Sequence, residues 1–338
     1  AELAPDWTKN NPVPKLQLGN PAISNTMVFI IPGAAMSGRF LLAAAIGAVF
    51  ALCFWAQGQL AESRPVAFSG APPKRIVTMA PSVTEIVFAL GLGDRVVGRT
   101  DYCKHPREAL EKPSIGGYLN PNYERLVGLH PDLVILLEAA GPPMPGFHKL
   151  QLPALEVSHK DIEGIVQSIP RIGAVCGTGP RAEAIVAEIR HRLERVKEKT
   201  AGLPRPRVLV AIERTLGTGT LQDVYIAGHD GHIDRIVELA GGENAYQEDR
   251  ARFPVVSREG IIKLDPGVIV DLVSSVSGPP VDEARVRADW QTLPRVEAVR
   301  QGRVYLIADD FATVPGPRFV QFVEKLARLL HPEADWDR

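Results

Sequence analysis

Two segments of this chain, 135 residues apart, are variants of one another, and this internal match limits the fold more than any single motif does. NYERLVGLHPDLVIL (122–136) and SREGIIKLDPGVIVD (257–271) share a polar cap, a glutamate, two apolar helix positions, a leucine, a proline and a buried strand. Asn122 or Ser257 can cap a short helix, and Glu124 or Glu259 then lies in its first turn, where a carboxylate favours the helix dipole. Taken singly, helix stabilisation accounts for either glutamate. However, Tyr118 and Phe253 each stand six residues before the glutamate, so each half presents an aromatic, a turn and an acid.

Strand-like runs alternate with helical stretches around both copies. RIVTMA reads as a buried strand feeding the apolar helix SVTEIVFALGLG, with Ser82 as its cap, and the alternation continues through VVGRTD, the short helix PREALEK, DLVILLE, ALEVS and DIEGIVQSIPRIGAVCG. Such alternation implies a parallel sheet covered on both faces. From about Pro180 to Thr200 a charged helix carries the apolar stripe Ile185, Ile189, Leu193 and Val196, long enough to reach roughly 30 Å. After the breaker GLPRPR a second set follows: RVLVAIER, DVYIAG, HIDRIVELAGG, SREGIIKLDP, GVIVDL, RVYLIAD and PRFVQFVEKLARLL. The expectation is an α/β fold of two Rossmann-like lobes, 74–178 and 204–332, joined by one long helix over 179–203. In parallel α/β sheets ligands bind beyond the carboxyl ends of the strands, so the loops of Tyr118 and Phe253 should line one cleft between the lobes.

Composition and the remaining residues narrow the function. A net charge of −1 leaves no excess to hold nucleic acid. The uncharged run Phe40–Ala56 after Arg39 has the layout of a secretory signal or a short membrane anchor, with linker to residue 64. Met36 resembles a natural start, making 1–35 an extension without an assigned role. An exported, periplasmic or cell-envelope location follows, anchored through 40–56 if the segment is retained. A lipoprotein reading through Cys53 is disfavoured by Leu52 before it. Export would let Cys103 and Cys176 pair, the alternative being two separate core thiols. His229 and His232 in AGHDGHID are weak metal candidates without an evident third ligand, the alternative being a polar helix start. LGTGTLQ (216–222) lacks the lysine of a phosphate loop and reads as a cleft-edge turn. Neither a GxSxG elbow nor GxGxxG after the first strand is present, so a secreted α/β enzyme is a remote alternative.

The segments RIVTMAPSVTEIVFALGLGDRVVGRTDYC, GGYLNPNYERLVGLHPDLVIL, IDRIVELAGGENAY and PVVSREGIIKLDPGVIV, in that order around a long helix, resemble the helical-backbone substrate-binding proteins of ATP-binding-cassette importers, which include periplasmic binders of cobalamin and of ferric siderophores or haem. The resemblance covers residues 74 to 332. It implies a non-enzymatic monomer without a resident cofactor, whose ligand is cobalamin or another corrinoid, with ferric siderophore or haem as the alternative, and whose partners are the importer's permease subunits. Glu124 and Glu259 match the glutamates that dock on permease arginines. Positions that hold the corrin ring fall on Tyr102, Tyr118 and Phe253, and an acid–aromatic pair on Asp310 and Phe311. The cobalamin pattern has tryptophan where this chain has Tyr118, Phe253 and Phe311, which reduces the stacking surface. Siderophore binders usually present arginines to an anionic complex; here Arg99, Arg250 and Arg252 are near enough to serve, the alternative being surface solvation.

Overall fold

The computed structural model describes residues 70–138, 147–229, 231–248, 251–273 and 282–336, all within one compact unit, 63–338. Strands β1 (Ile76–Thr78), β2 (Val96–Arg99), β3 (Leu133–Leu137) and β4 (Ala154–Val157) form a wholly parallel sheet in the order β2-β1-β3-β4. Ile76, Val77, Leu133, Val134 and Ile135 are fully buried, the two-sided burial expected of a parallel sheet between helices. Those helices are α1 (Pro81–Ala89), α2 (Tyr123–Gly128) and α3 (Ile162–Cys176). Ser82 does not cap α1: Ala80 holds that position with Pro81 in the first turn, and the serine hydroxyl is used elsewhere. The segment expected as a short helix after Pro106 is a 3-10 turn, Arg107–Glu111.

Helix α4 (Gly179–Thr200) connects this sheet to the second half of the chain. Its buried stripe is Ala182, Val186, Ile189 and Val196, with Leu193 and Ile185 partly buried on the same core; the stripe is turned toward Val186 relative to the sequence reading. The core cluster that starts at Ile76 passes through this stripe and ends at Leu330. One apolar interior therefore serves both lobes.

In the second lobe are β5 (Arg207–Glu213), β6 (Val224–Ile226), α5 (His232–Leu239), β7 (Glu243–Asn244), β8 (Val255–Val256), α6 (Arg258–Leu264), β9 (Val268–Leu272), α7 (Glu283–Gln291), α8 (Glu297–Arg300), β10 (Val304–Ile307) and α9 (Phe319–Leu330). The strand order is β10-β9-β5-β6-β8, with β7 also on β5. Strands β10, β9 and β5 are parallel, but β6 runs antiparallel to β5 and β8 antiparallel to β6, a difference from the expected all-parallel pattern. The link 214–223 is too short for a crossover, which needs a dozen or more residues, so the chain returns as a hairpin.

The repeat survives in the backbone. β3 and β9 keep the 135-residue offset at both ends. Asn122 Oδ1 accepts from Arg125 N at 2.8 Å and Ser257 Oγ from Gly260 N at 3.2 Å, so both expected caps form. Each copy then turns through a left-handed non-glycine residue ahead of proline, His130 (φ 45°) and Asp265 (φ 40°).

A buried ion cluster fixes the turn at 215–220. Arg214 donates to Asp271 Oδ2 at 2.7 Å and to Asp289 Oδ2 at 2.6 Å, with all three side chains at most 2% exposed. Asp289 also accepts from Gly217 N and Gly219 N, each at 2.7 Å, and the Trp290 indole donates to Asp271 at 2.8 Å. Removing one member leaves a buried guanidinium undercompensated. Asp289→Ala is expected to lose about 3 kcal/mol or more of unfolding free energy; a change below about 1 kcal/mol in urea titration would mean that water or Asp271 alone satisfies Arg214.

Candidate functional site

The lobes meet where the carboxyl ends of their strands lead into helices. A cavity of 510 Å³ lies between the first turns of α3 (Asp161, Ile162) and α5 (Gly231, Asp234), with Ile189 and Leu193 of α4 among its lining residues. A second, of 370 Å³, is bounded by Glu85, Phe88 and His105 of the first lobe and by Pro317 and Arg318 of the second. The expected ligand-binding residues line neither of these two cavities and stand in separate groups. Tyr102 is 55% exposed after β2, and its loop is bonded to that of Tyr118 through Asp101 N to Gly116 O and Ser114 to Asp101. Tyr118 is half-buried; its hydroxyl donates to Leu137 O at 3.4 Å, and burial, with Glu156 nearby, raises its pKa above the ordinary phenol value.

In the second lobe Phe253 is 44% exposed and meets His232 edge to face, with ring centroids 6.5 Å apart. The loop is pinned by Gly228 N donating to Arg252 O, and a Cβ on Gly228 would lie 2.1 Å from Ala251 O, so glycine is required there. Phe311 packs on the main core. Asp310 is engaged by the protein itself: Arg318 donates to both of its oxygens, at 2.7 and 3.0 Å, and to Glu85 Oε1 of the first lobe at 2.5 Å. The guanidinium holds Asp310 below its usual range. Burial pushes Glu85 up against the pull of Arg318. Burial opposes the charge of Arg318, and its hydrogen bonds to the two carboxylates more than offset this. Glu85 and Arg318 escaped the sequence reading; the one signal was a lone acid inside the apolar helix SVTEIVFALG.

Several expectations are corrected by their surroundings. Arg99 is neither a solvated nor a cleft arginine: it is buried and donates to the carbonyls of Ala109 (2.8 Å), Thr100 (2.9 Å) and Leu110 (3.4 Å). Arg252 is exposed, and Arg250 lies outside the described residues, as do residues 1–69 with the 40–56 segment. Cys103 and Cys176 are free and buried. They flank opposite ends of β2: Cys103 accepts from Thr84 Oγ1 at 3.0 Å beyond its carboxyl end, while Arg95, just before it, donates to Cys176 O at 3.1 Å. The strand alone is about 13 Å long, beyond the reach of a disulfide. Burial pushes the Cys176 thiol up to about 11.

His229 and His232 face different partners, the first Asp234 at 3.2 Å and the second Phe253. Burial, with Arg252 nearby, lowers His232 to about 4. Among the described residues no group of three or more His, Cys, Asp or Glu is placed to hold a metal. Glu124 and Glu259 are exposed in the first turns of α2 and α6, and hydrogen bonds at the helix start, from its own backbone and from Ser257, lower the Glu259 carboxyl. One turn further, Val127 and Ile262, again 135 apart, are 41% and 39% exposed.

His159, after β4, joins α1 to α3. Ser168 donates to Ile165 O at 2.7 Å, so it accepts from His159 Nε2 at 3.0 Å; Nδ1 is then bare and accepts from Ser82 Oγ at 2.8 Å. Burial lowers this imidazole to about 4. The folded state resists a proton that the unfolded chain takes up near 6.5, so stability is complete above about pH 6.5 and falls as pH drops toward 4. His159→Gln should flatten that part of the stability–pH curve, measured by denaturant titration; an unchanged slope would assign the acid sensitivity to other groups.

Residues 76–311 match the model of the periplasmic binding protein family. An ABC transporter substrate-binding lipoprotein of Bacillus subtilis, YvrC, is 29% identical over 269 residues, 77% of this chain and 81% of the relative. A vitamin B12-binding protein of Pectobacterium carotovorum is 23% identical over 76% of this chain and 88% of its own length. The crystal structure of a periplasmic heme-binding protein from Pseudomonas aeruginosa superposes with a TM-score of 0.66 at 27% identity, covering 78% of this chain and 94% of that one. With two sheets joined by α4 and a seam at the strands' carboxyl ends, this chain belongs to the periplasmic binding protein family, as an ABC transporter substrate-binding protein.

Proposed function

We propose that the protein captures cobalamin or a related corrinoid between its two lobes and delivers it to an importer permease. The observation that carries the cargo is the pair of exposed aromatic rings, Tyr102 and Phe253. Arg318, the arginine that crosses between the lobes, is taken up by Glu85 and Asp310, so an anionic ferric chelate would find it occupied. A net-neutral corrinoid rimmed with amides asks mainly for apolar faces, and Tyr102 and Phe253 offer exposed rings. Tyr118, Phe311 and Asp310 complete the proposed lining, the last through its outer edge, since its side chain remains 39% exposed.

A second reading has one observation in its favour. Tyr102 is an exposed phenol of the first lobe, a group of the kind that ligates a haem iron, and a heme-binding protein is among the structural neighbours. A solute-binding family supports a non-enzymatic role. The serine–histidine contact of Ser82 and His159 is no counterargument, because both side chains are buried away from any substrate. Export is proposed from the sequence and the relatives; among the described residues no helix is long and apolar enough to cross a membrane.

For the permease the repeated unit supplies two equivalent patches: an acid at Glu124 or Glu259 beside an apolar residue at Val127 or Ile262. A pair related by the internal repeat suits a partner built from two like subunits, with charge setting orientation and encounter rate.

Calorimetric titration with cyanocobalamin tests the cargo. Saturable binding at micromolar or tighter, about −8 kcal/mol, is expected, weakened about tenfold or more by Tyr118→Ala with Phe253→Ala. Haem binding with a Soret shift lost in Tyr102→Phe, and no response to the corrinoid, would replace cobalamin by the second reading. Reversing Glu124 and Glu259 to lysine should leave cargo affinity unchanged and abolish stimulation of the importer. A loss of cargo affinity would move those glutamates into the cleft.

A further inference from the structure

We propose that Glu85 and Arg318 are positioning residues of the cleft, a buried bolt that sets the separation of the two lobes before cargo arrives. The inference rests on the reading that cargo enters between the lobes. Glu85 lies one turn into α1 of the first lobe and Arg318 just ahead of α9 of the second, 233 residues apart in sequence, with the guanidinium 2.5 Å from the carboxylate. Their side chains are 3% and 14% exposed, so the pair works where water screens it little.

Asp310 holds the guanidinium from the side of its own lobe, which orients it toward α1. The contact is also close-packed. Glu85 Oε2 and Arg318 Nε are buried without a hydrogen-bond partner among the described residues, and a Cβ on Gly316 would lie 2.8 Å from Glu85 Oε2 and 3.3 Å from Ser82 Cα. Gly316 has no left-handed backbone, since it is absent from the positive-φ glycines. Its bareness therefore serves the approach of the two lobes and no turn.

Both partners line a cavity together with His105, three residues after Tyr102, and Arg318 holds Asp310, the neighbour of Phe311. A fixed contact there fixes the gap between those aromatic faces. A receptor whose gap is set in advance loses less conformational freedom on binding. Helix α4 joins the lobes at their other connection, so the bolt and the helix together leave the lobes little freedom to swing apart.

Two substitutions reach the seam by independent means. Glu85→Gln removes the charge with little change of shape; Gly316→Ala keeps the charges and inserts a methyl group. The readout is the distance distribution between nitroxides on the full chain without cargo, attached at Arg171→Cys and Gln301→Cys, one exposed site in each lobe, with Cys53→Ser. Both variants are expected to broaden the distribution and lengthen its mean, while Asp310→Asn, which spares the contact between lobes, leaves the mean in place. A merely structural role would lower the melting point without moving the distances. Wild-type distributions in folded Glu85→Gln would overturn the proposal, whether or not Gly316→Ala widens the gap; should Glu85→Gln fail to fold, a wild-type distribution in Gly316→Ala would do so. The parallel titration with cyanocobalamin separates the two claims: if the broadened variants bind wild-type-tight, the gap does not govern affinity and the positioning role fails. If wild type itself binds no chelate, the cargo reading fails and the distances still decide the bolt.

Discussion

The two lobes are held as one body by a continuous apolar cluster that enters α4 from the first sheet and leaves it toward α9. A helix of this length would be marginal alone in water, and its charged surface offers little intrinsic drive to associate. Ala182, Val186, Ile189 and Val196 supply the missing stabilisation by burial on both lobes. Arg192, paired with Glu324 of α9 at 2.5 Å, adds registration at the surface. Because the connection is a packed helix, the lobes are parts of one body, and the crevice between them is a feature of the folded state.

Upon that frame the protein distributes its arginines inward. Arg99 braces a loop by donating to carbonyls, Arg214 gathers two carboxylates and two backbone amides around a turn, and Arg318 crosses the seam to Glu85. A buried guanidinium is tolerated only where its fork is met by acceptors in the right plane. Arg99 and the Arg214 cluster therefore act as local templates for loop backbone, whereas Arg318 joins one helix to the other lobe. The consequence is electrostatic: the donors of these three guanidiniums are met inside the protein, while Arg252 stays exposed.

Much of the fold was legible in the sequence because strand and helix periods are local properties. The strand runs, the long helix and the two-lobed α/β plan follow from apolar spacing, and the 135-residue repeat reappears as the constant offset of β3 and β9. Reading Ser82 as a cap failed because Pro81 already starts the helix and His159 takes the hydroxyl. The parallel expectation failed at β6 because link length, and not strand composition, decides hairpin against crossover.

The sequence by itself determined the main strand runs and the long helices, that each half carries a copy of one unit, and that Glu124 and Glu259 occupy equivalent first turns, since all of these depend on neighbours a few residues away. Tertiary structure alone decided that Arg99 is buried, that Cys103 and Cys176 stand at opposite ends of a strand, and that Asp310 belongs to Arg318. It also brought Glu85 against Arg318 across 233 residues of chain. The physical reason is the same in each case. A period fixes the face on which a side chain stands, whereas the partner that neutralises a buried charge is chosen by how the elements pack, and packing is a property of the assembled core.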